Sequence, residues 1–398
     1  MSAPRVAYLP DSFHEVNGVA HTSRNFVAYA QRHNLPFLCI RAGTCALPFE
    51  HVTELRTLEL RRSRASIRIE KDLDFDPLFF RHAASIRREL LRFRPDIIHI
   101  TGPSELGAFG AFFAWEQEIP LAASWHTNVH EYAARRLHRL TRRFSPATAN
   151  SIAQRVEDAS LFVTSRFYSL ARVLYAPNDE LCAMLERTTH RPCHLMQRGV
   201  DTEQFSPTHR TRPLDDSTLV LGYVGRLSVE KNVALLIRIE RELLALGITN
   251  FRFLIVGHGS EDAYLRASLT HADFSGVLRG AALAQAYADM DLFLFPSHTD
   301  TFGNVVLEAL SSGVPAIVTP GGGPKYIVHD RERHLQYEET GFITPDDGFS
   351  NAIATLASDR ARLEKMRIAS RAYALTCSWD AVFDRVYAGY GNAFTADD

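Results

Sequence analysis

The sequence predicts an α/β protein of two doubly wound domains, each built on a parallel sheet. Three observations carry this. At 398 residues the chain is too long for one ordinary domain and suits two, each able to bury a core. Short apolar runs alternate with helical stretches in both halves, the pattern of βαβ units on a parallel sheet. Between the halves, Pro207 and Pro213, with Thr and Asp around them, mark a linker. The expected boundaries are a first domain at 1–200, a linker at 201–216, a second domain at 217–375 and a closing helix at 376–398.

In chain order, Arg5 to Pro10 reads as the first strand and Val19 to Arg32 as a helix with apolar positions at helical spacing. Gly18, at the mouth of the intervening loop, lets backbone approach a bound group closely. No GxGxxG fingerprint accompanies it, which disfavours an ordinary dinucleotide site. Pro36 to Ile40 reads as a strand, Pro77 to Phe93 as a helix closed by Arg94-Pro95, Asp96 to Ile100 as a strand, and 104–117 as a helix. Asp72-Leu73-Asp74 matches a metal-binding DxD in form only, because it falls in a charged loop with no phosphate-binding partner nearby in sequence. Leu121 to Trp125 is a strand that delivers His126 to its carboxyl end, a position suited to chemistry or substrate contact. His126 and His130 lack an HExxH context, so zinc fits poorly and no metal site is expected. Leu161 to Thr164 and Cys193 to Met196 complete the strands of this half.

The second half opens with a strand, Leu219 to Val224, followed by GRLSVEKN and a helix from Asn232 to Leu246. Arg226 and Lys231 place two cations at that strand-to-helix turn, which is what a diphosphate leaving group requires when no metal is used. Only four lysines occur in the chain against forty arginines, which makes the lysine at 231 informative. Phe251 to Val256 and Asp273 to Arg279 are further strands, with the tight turn Gly257-His258-Gly259 after the first. The apolar run Leu292 to Phe295, the loop Pro296 to Gly303, a helical run ending at Gly313 and the strand Ala316 to Val318 form a β-loop-α-β unit. Its loop falls at the carboxyl edge of a sheet, where ligands of open α/β folds bind. The backbone N–H groups of Phe302, Gly303, Asn304 and Val305 suit a phosphate there. Asp300 and Glu308 stand ready to accept hydrogen bonds from hydroxyls, and together these features describe a site for a sugar nucleotide.

Composition narrows the alternatives. A hydrophobic content of 46% with 23% charged residues describes a globular chain, and no run approaches the ~18 to 20 apolar residues of a membrane span. The N-terminus runs into a strand without a signal-peptide layout, and Cys39, Cys45, Cys182, Cys193 and Cys377 form no close pair in sequence; reduced thiols in the cytoplasm are expected. Residues 1–200 carry 26 Lys and Arg against 20 Asp and Glu, a balance of +6, and the remainder carries 18 against 26, or −8. The basic residues cluster at Arg61, Arg62, Arg64 and Arg68, at Arg87, Arg88, Arg92 and Arg94, and at Arg135, Arg136, Arg139, Arg142 and Arg143. An anionic membrane surface fits such a half, giving a peripheral location on the inner face of a membrane. No recognised nucleic-acid motif accompanies the charge.

DTFGNVVLEALSSG, at 300–313, resembles the E-x7-E signature of the retaining glycosyltransferases of family 4, with Asp300 in place of the first Glu. GRLSVEKN at 225–232 is similar to the family's diphosphate-binding segment, and RGVD at 198–201 with Phe205 and Pro207 to its domain junction. SWHTN at 124–128 resembles a stretch of the lipid-directed members, such as sulfoquinovosyl-diacylglycerol synthases and related glucosyl and mannosyl transferases. The resemblance covers essentially the whole chain. It implies the GT-B fold, with two Rossmann-like domains facing across a cleft and the C-terminal helix crossing back to the first. It also implies a metal-independent hexosyltransferase that uses a UDP- or GDP-sugar, with no further cofactor. By resemblance, His126, Asp300, Arg226 and Lys231 carry the chemistry, while Gly18, Gly225, Gly257, residues 302–305 and Glu308 hold the donor. Tyr132, Arg135, Arg136 and Arg139 border the acceptor and membrane side. A transferase on a soluble acceptor, a GT-B epimerase or phosphorylase, and a non-catalytic sugar-nucleotide binder remain as alternatives.

Overall fold

A computed structural model describes residues 3–15, 18–43, 50–52, 54–70, 73–125, 159, 161–213, 216–300, 302–331 and 337–394. The chain divides into two compact units, Met1–Gln197 with Val382–Asp398, and Arg198–Ala381. Each is a Rossmann-like α/β sandwich.

The first unit runs β1 (Val6–Leu9), α1 (Gly18–Arg32), β2 (Phe37–Gly43), β3 (Glu50–Val52), β4 (Leu55–Arg61), β5 (Ile67–Glu70), β6 (Leu73–Phe75), α2 (Ala83–Phe93), β7 (Ile97–Ile100), α3 (Glu105–Glu116), β8 (Leu121–Ser124), β9 (Val173–Ala176), α4 (Asp179–Thr189) and β10 (Cys193–Leu195). Among the described residues its main sheet has the order β10-β9-β8-β7-β1-β2-β4-β3, parallel except for the β3–β4 pair. Strands β1, β7, β8 and β9 are wholly buried, which is why they read as unbroken apolar runs. Ser104 starts α3 by accepting from the Gly107 N–H at 3.1 Å, and Asn178 starts α4 by accepting from the Leu181 N–H at 2.8 Å.

Three readings of this half are corrected. Residues 161–168 are helical, and the strand expected at Leu161 to Thr164 is instead β9, at Val173–Ala176. A four-residue apolar run fits either state, and here the pairing of β9 with β8 decided the matter. Strand β4 was not foreseen because Arg56 and Glu59 interrupt its alternation; the Glu59 carboxylate is taken up by Arg41 at 2.8 Å and His14 at 2.9 Å. The stretch read as a charged loop at Leu73-Asp74 is strand β6, antiparallel to β5, while Asp72 lies outside the described residues. In addition, the Cys182 and Cys193 thiols are close enough to shift each other's pKa, the first down and the second up, a proximity that their spacing in sequence does not reveal.

The second unit runs β11 (Leu219–Val224), α5 (Leu235–Ala245), β12 (Phe251–Val256), α6 (Asp262–Ser268), β13 (Ala272–Gly276), α7 (Gly280–Ala288), β14 (Leu292–Phe295), α8 (Asn304–Ser311), β15 (Ala316–Val318), β16 (Gly341–Ile343), α9 (Phe349–Ser358) and α10 (Arg360–Thr376). Its sheet is parallel, in the order β13-β12-β11-β14-β15-β16 among the described residues. Alternate residues of β11 feed two cores. Val220 and Val224 pack with Val306, Leu307 and Leu310 of α8, whereas Leu219, Leu221 and Tyr223 pack with Leu236, Ile239 and Leu243 of α5. The two helices therefore cover opposite faces. Helix α5 starts three residues later than expected, because Val229–Lys231 forms a 3-10 turn and Asn232 is left-handed at φ 52.

The last helix, α11 (Trp379–Phe394), has its first three residues in the second unit and continues in the first. Phe383, Val386 and Tyr390 are fully buried, as the helical stripe predicts. Phe383 stacks on Phe26 of α1 with centroids 4.4 Å apart, and the Tyr29 hydroxyl donates to Asp384 at 2.5 Å. Tyr390 is hydrogen-bonded to the buried His99 ring at 2.6 Å. Among the described residues no helix is long and apolar enough to cross a membrane. Phe383→Ala should lower the unfolding free energy of the first unit by about 3 to 5 kcal/mol in chemical denaturation; a loss under about 1 kcal/mol would show that this helix is not part of its core.

Candidate functional site

In the second unit the strand order reverses between β11 and β14, and ligands of open α/β sheets bind outside the carboxyl ends at such a point. The loop after β11 and the loop after β14 separate there toward helices on opposite faces. One ion pair spans them. Lys231 Nζ lies 2.6 Å from Asp300 Oδ1 and 2.7 Å from Oδ2, although 69 residues separate the two in sequence. Both side chains keep about a fifth of their surface exposed, at 23% and 22%. The pair therefore faces solvent on one side.

Each partner is held from behind. Asn232 donates from Nδ2 to the Pro296 carbonyl at 3.3 Å and to Asp346 Oδ2 at 3.0 Å, and His298 Nε2 lies 3.0 Å from Asp346 Oδ1. These contacts fix the two loops to each other beside the ion pair. The Asp300 carbonyl accepts from the Gly323 N–H at 2.7 Å. Gly322 has φ +69, and a Cβ there would stand 2.4 Å from the Asp300 oxygen; a Cβ on Gly303, at φ +92, would stand 2.9 Å from Pro324 Cγ. The run GGGPK at 321–325 thus presses directly on the Asp300 loop and on the residue that opens α8.

Helix α8 begins at Asn304 with Gly303 as its cap, so the amides of Asn304 and Val305 head the helix while Val306 N–H bonds Gly303 at 2.9 Å. Phe302, immediately before, is buried, with the Arg198 guanidinium over its ring at 5.5 Å. Burial lowers the Arg198 pKa from its ordinary value. Arg226 is exposed and lies 3.3 Å from Glu230, its backbone fixed by the Tyr223 hydroxyl donating to its carbonyl at 2.9 Å. Gly225 and Gly257 belong to adjoining loops, tied by Gly225 N–H to the Val256 carbonyl at 3.0 Å and Leu227 N–H to the His258 carbonyl at 3.1 Å. Glu308 sits one turn into α8 and is half-buried, and the Tyr287 hydroxyl donates to its Oε2 at 2.8 Å. Burial raises the Glu308 pKa above its ordinary value, and the Tyr287 bond opposes the rise.

The structure therefore brings Lys231 to Asp300, just before residues 302–305, with Arg226 on the same loop as Lys231. Gly18 starts α1 in the other unit. His126, Tyr132, Arg135, Arg136 and Arg139 lie outside the described residues. Sequence reasoning did not single out Tyr287, Arg198, His298 or Asp346 as neighbours of the site, because nothing local links them to it. An ammonium beside the free amides of a helix start forms a setting that an anion can enter.

Residues 218–359 match the family described as "Glycosyl transferases group 1" and residues 16–204 match "Glycosyltransferase Family 4". The chain is 30% identical over 403 residues to a GDP-mannose-dependent alpha-mannosyltransferase of Mycobacterium tuberculosis, spanning 98% of this chain and 97% of the relative. It is also 30% identical to the sulfoquinovosyl transferase SQD2 of Arabidopsis thaliana, over 78% of this chain and 59% of that one. In fold it is similar to sucrose-phosphate synthase from Thermosynechococcus elongatus, with a TM-score of 0.65 and 17% identity over 99% of this chain and 100% of that chain. The fold is that of the GT-B glycosyltransferases. The chain belongs to glycosyltransferase family 4.

The half-buried Glu308 gives a signed expectation. Its raised folded-state pKa means that stability is fully present below the unfolded value of about 4.5 and is lost as pH rises through the folded one. Glu308→Gln removes that ionisation, so calorimetry should find the variant with a higher Tm than the parent at pH 7 and no such difference near pH 4. A lower Tm at pH 7 would contradict the assignment of a net burial cost.

Proposed function

We propose that the chain is a retaining, metal-independent hexosyltransferase that moves a hexose from a nucleoside-diphosphate sugar, UDP- or GDP-linked, to an acceptor hydroxyl on a membrane lipid or lipid-linked glycan. The observation that carries this reading is Lys231, held by Asp300 at the β11–β14 switch point beside the opening amides of α8. A diphosphate entering there meets one ammonium, the Arg226 guanidinium and two backbone donors, which together offset its charge without a divalent ion. Glu308 accepts from the ribose hydroxyls, and Asp300 accepts from hydroxyls of the transferred sugar. No cofactor beyond the donor is involved. GDP-mannose is the first donor to test, since it is in the name of the mycobacterial relative.

In the reaction, the bond from the anomeric carbon to the diphosphate oxygen breaks first, and the electron pair leaves with the phosphate. The acceptor hydroxyl then attacks the same face, and its proton passes to an oxygen of the departing diphosphate. The part assigned to the His126 carbonyl is to steady the positive charge that builds at the anomeric carbon.

An anionic membrane as the acceptor's home is supported by one face of the first unit. Trp115 is 78% exposed and Phe112 52% exposed on α3, with ring centroids 6.1 Å apart. Arg87 of α2 reaches Glu116 of α3 at 3.2 Å, which places the exposed arginines 88 and 92 of α2 on an adjoining helix. Aromatic rings beside arginines suit the boundary between headgroups and acyl chains.

Lys231→Ala and Glu308→Ala should each lower transfer from GDP-mannose or a UDP-sugar at least about tenfold, and a chelator should leave the parent rate unchanged. Unchanged rates in both variants, or loss of activity on chelation, would overturn the assignment. In a thermal-shift panel the true donor should raise Tm by mass action. Trp115→Ala combined with Arg88→Ser should weaken binding to anionic vesicles in a flotation assay; equal binding would favour a soluble acceptor.

A further inference from the structure

The first basic cluster of the sequence builds a cavity that the donor reading leaves unused. Gly43 ends β2 and Arg61 ends β4, and these parallel neighbours open on the carboxyl edge of the first unit's sheet. A cavity of about 550 Å3 lies there, lined by these two residues with Arg62, Ser63, Arg64, Ser66 and Arg81. Four arginines line it and no acid does.

Two of the four are already matched. Arg62 pairs with Glu105, and Arg81 donates to Asp76 at 2.9 Å. Asp76 is itself gripped by the N–H and hydroxyl of Ser63, each at 2.6 Å, which holds its carboxyl well below the usual carboxylate range. Both acids are thus committed to positioning the wall. Arg61 and Arg64 are exposed, and neither guanidinium has an acidic partner among the described residues. Ser66 also lines the cavity, and its hydroxyl oxygen is buried without a hydrogen-bond partner among the described residues. A buried hydroxyl left unpaired costs stability, and a ligand oxygen would satisfy it.

We infer that this cavity binds a phosphomonoester. Two unmatched guanidiniums balance a group carrying about −1.5 to −2 charge, their planar forks match its terminal oxygens, and Ser66 supplies a neutral donor. The inference does not depend on the proposed sugar transfer. The phosphate belongs either to a lipid headgroup or to a soluble ester, and the experiment separates the two.

Inorganic phosphate is titrated calorimetrically into the full chain and into its Lys231→Ala variant, which removes the proposed donor-side cation. Binding should persist in Lys231→Ala. On that background Arg61→Ser and Arg64→Ser should each weaken it about tenfold, with Ser66→Ala weakening it less. The arginines are exposed, so the variants should keep the parent Tm. Vesicles containing phosphatidic acid and free glycerol 3-phosphate are then compared: preference for the vesicles assigns a lipid headgroup, and competition by the free ester assigns a soluble one. Phosphate affinity unchanged by the paired arginine substitutions, or abolished by Lys231→Ala alone, would overturn the inference.

Discussion

The candidate site of the second unit is organised around the ion pair of Lys231 and Asp300. At a switch point the helices that follow two neighbouring strands pack on opposite faces of the sheet, so the loops above β11 and β14 have no reason of their own to meet. A charged pair 2.6 Å apart closes that gap, and it is buttressed by the Asn232, Asp346 and His298 contacts on one side and the Gly322 turn on the other. Partly exposed pairs contribute only about 0.2 to 1 kcal/mol. A weak bond suits the proposed role of Lys231, which is to be held in place yet free to turn its charge to an arriving diphosphate. The rigidity resides in the glycine turn and the amide network; the ion pair supplies the exchangeable charge.

Glu308 presents the opposite case. It is half-buried, its pKa is raised by the loss of water around it, and it is oriented by the Tyr287 hydroxyl. A carboxylate held partly out of water costs stability, and the Tyr287 hydroxyl offsets part of that cost. The two acids of the signature therefore differ in setting. Asp300 is tied to a cation, and Glu308 is tied to a neutral donor. The shorter Asp at 300 also fits its surroundings, because both of its oxygens already meet Lys231.

Much of this was legible in the chain. Leu292 to Phe295 and Ala316 to Val318 were plain as strands because both faces are covered, leaving no polar alternation to confuse the pattern. Asp300, Lys231 and residues 302–305 could be placed near one another since each follows a strand at the same sheet edge. What stayed hidden was pairing across distance. Tyr287 is 21 residues from Glu308, and the Asp346 carboxylate reaches Asn232 across 114. Strand β4 was obscured by the Glu59 charge, which only the folded partners Arg41 and His14 take up, and Leu161 to Thr164 was misread because so short a run carries no period of its own. The arginines at 61, 62 and 64 were visible as a cluster, but not that they would wall a cavity with an unpaired serine inside it.

The central claim is that the donor's diphosphate occupies the β11–β14 switch point. A crystal structure of the protein with bound GDP-mannose or a UDP-sugar tests it most directly. The account predicts phosphate oxygens within hydrogen-bonding distance of Lys231 Nζ and of the Asn304 and Val305 amides, with the Asp300 contact loosened or shared. A diphosphate seated elsewhere, or the Lys231–Asp300 pair undisturbed beneath it, would contradict the account.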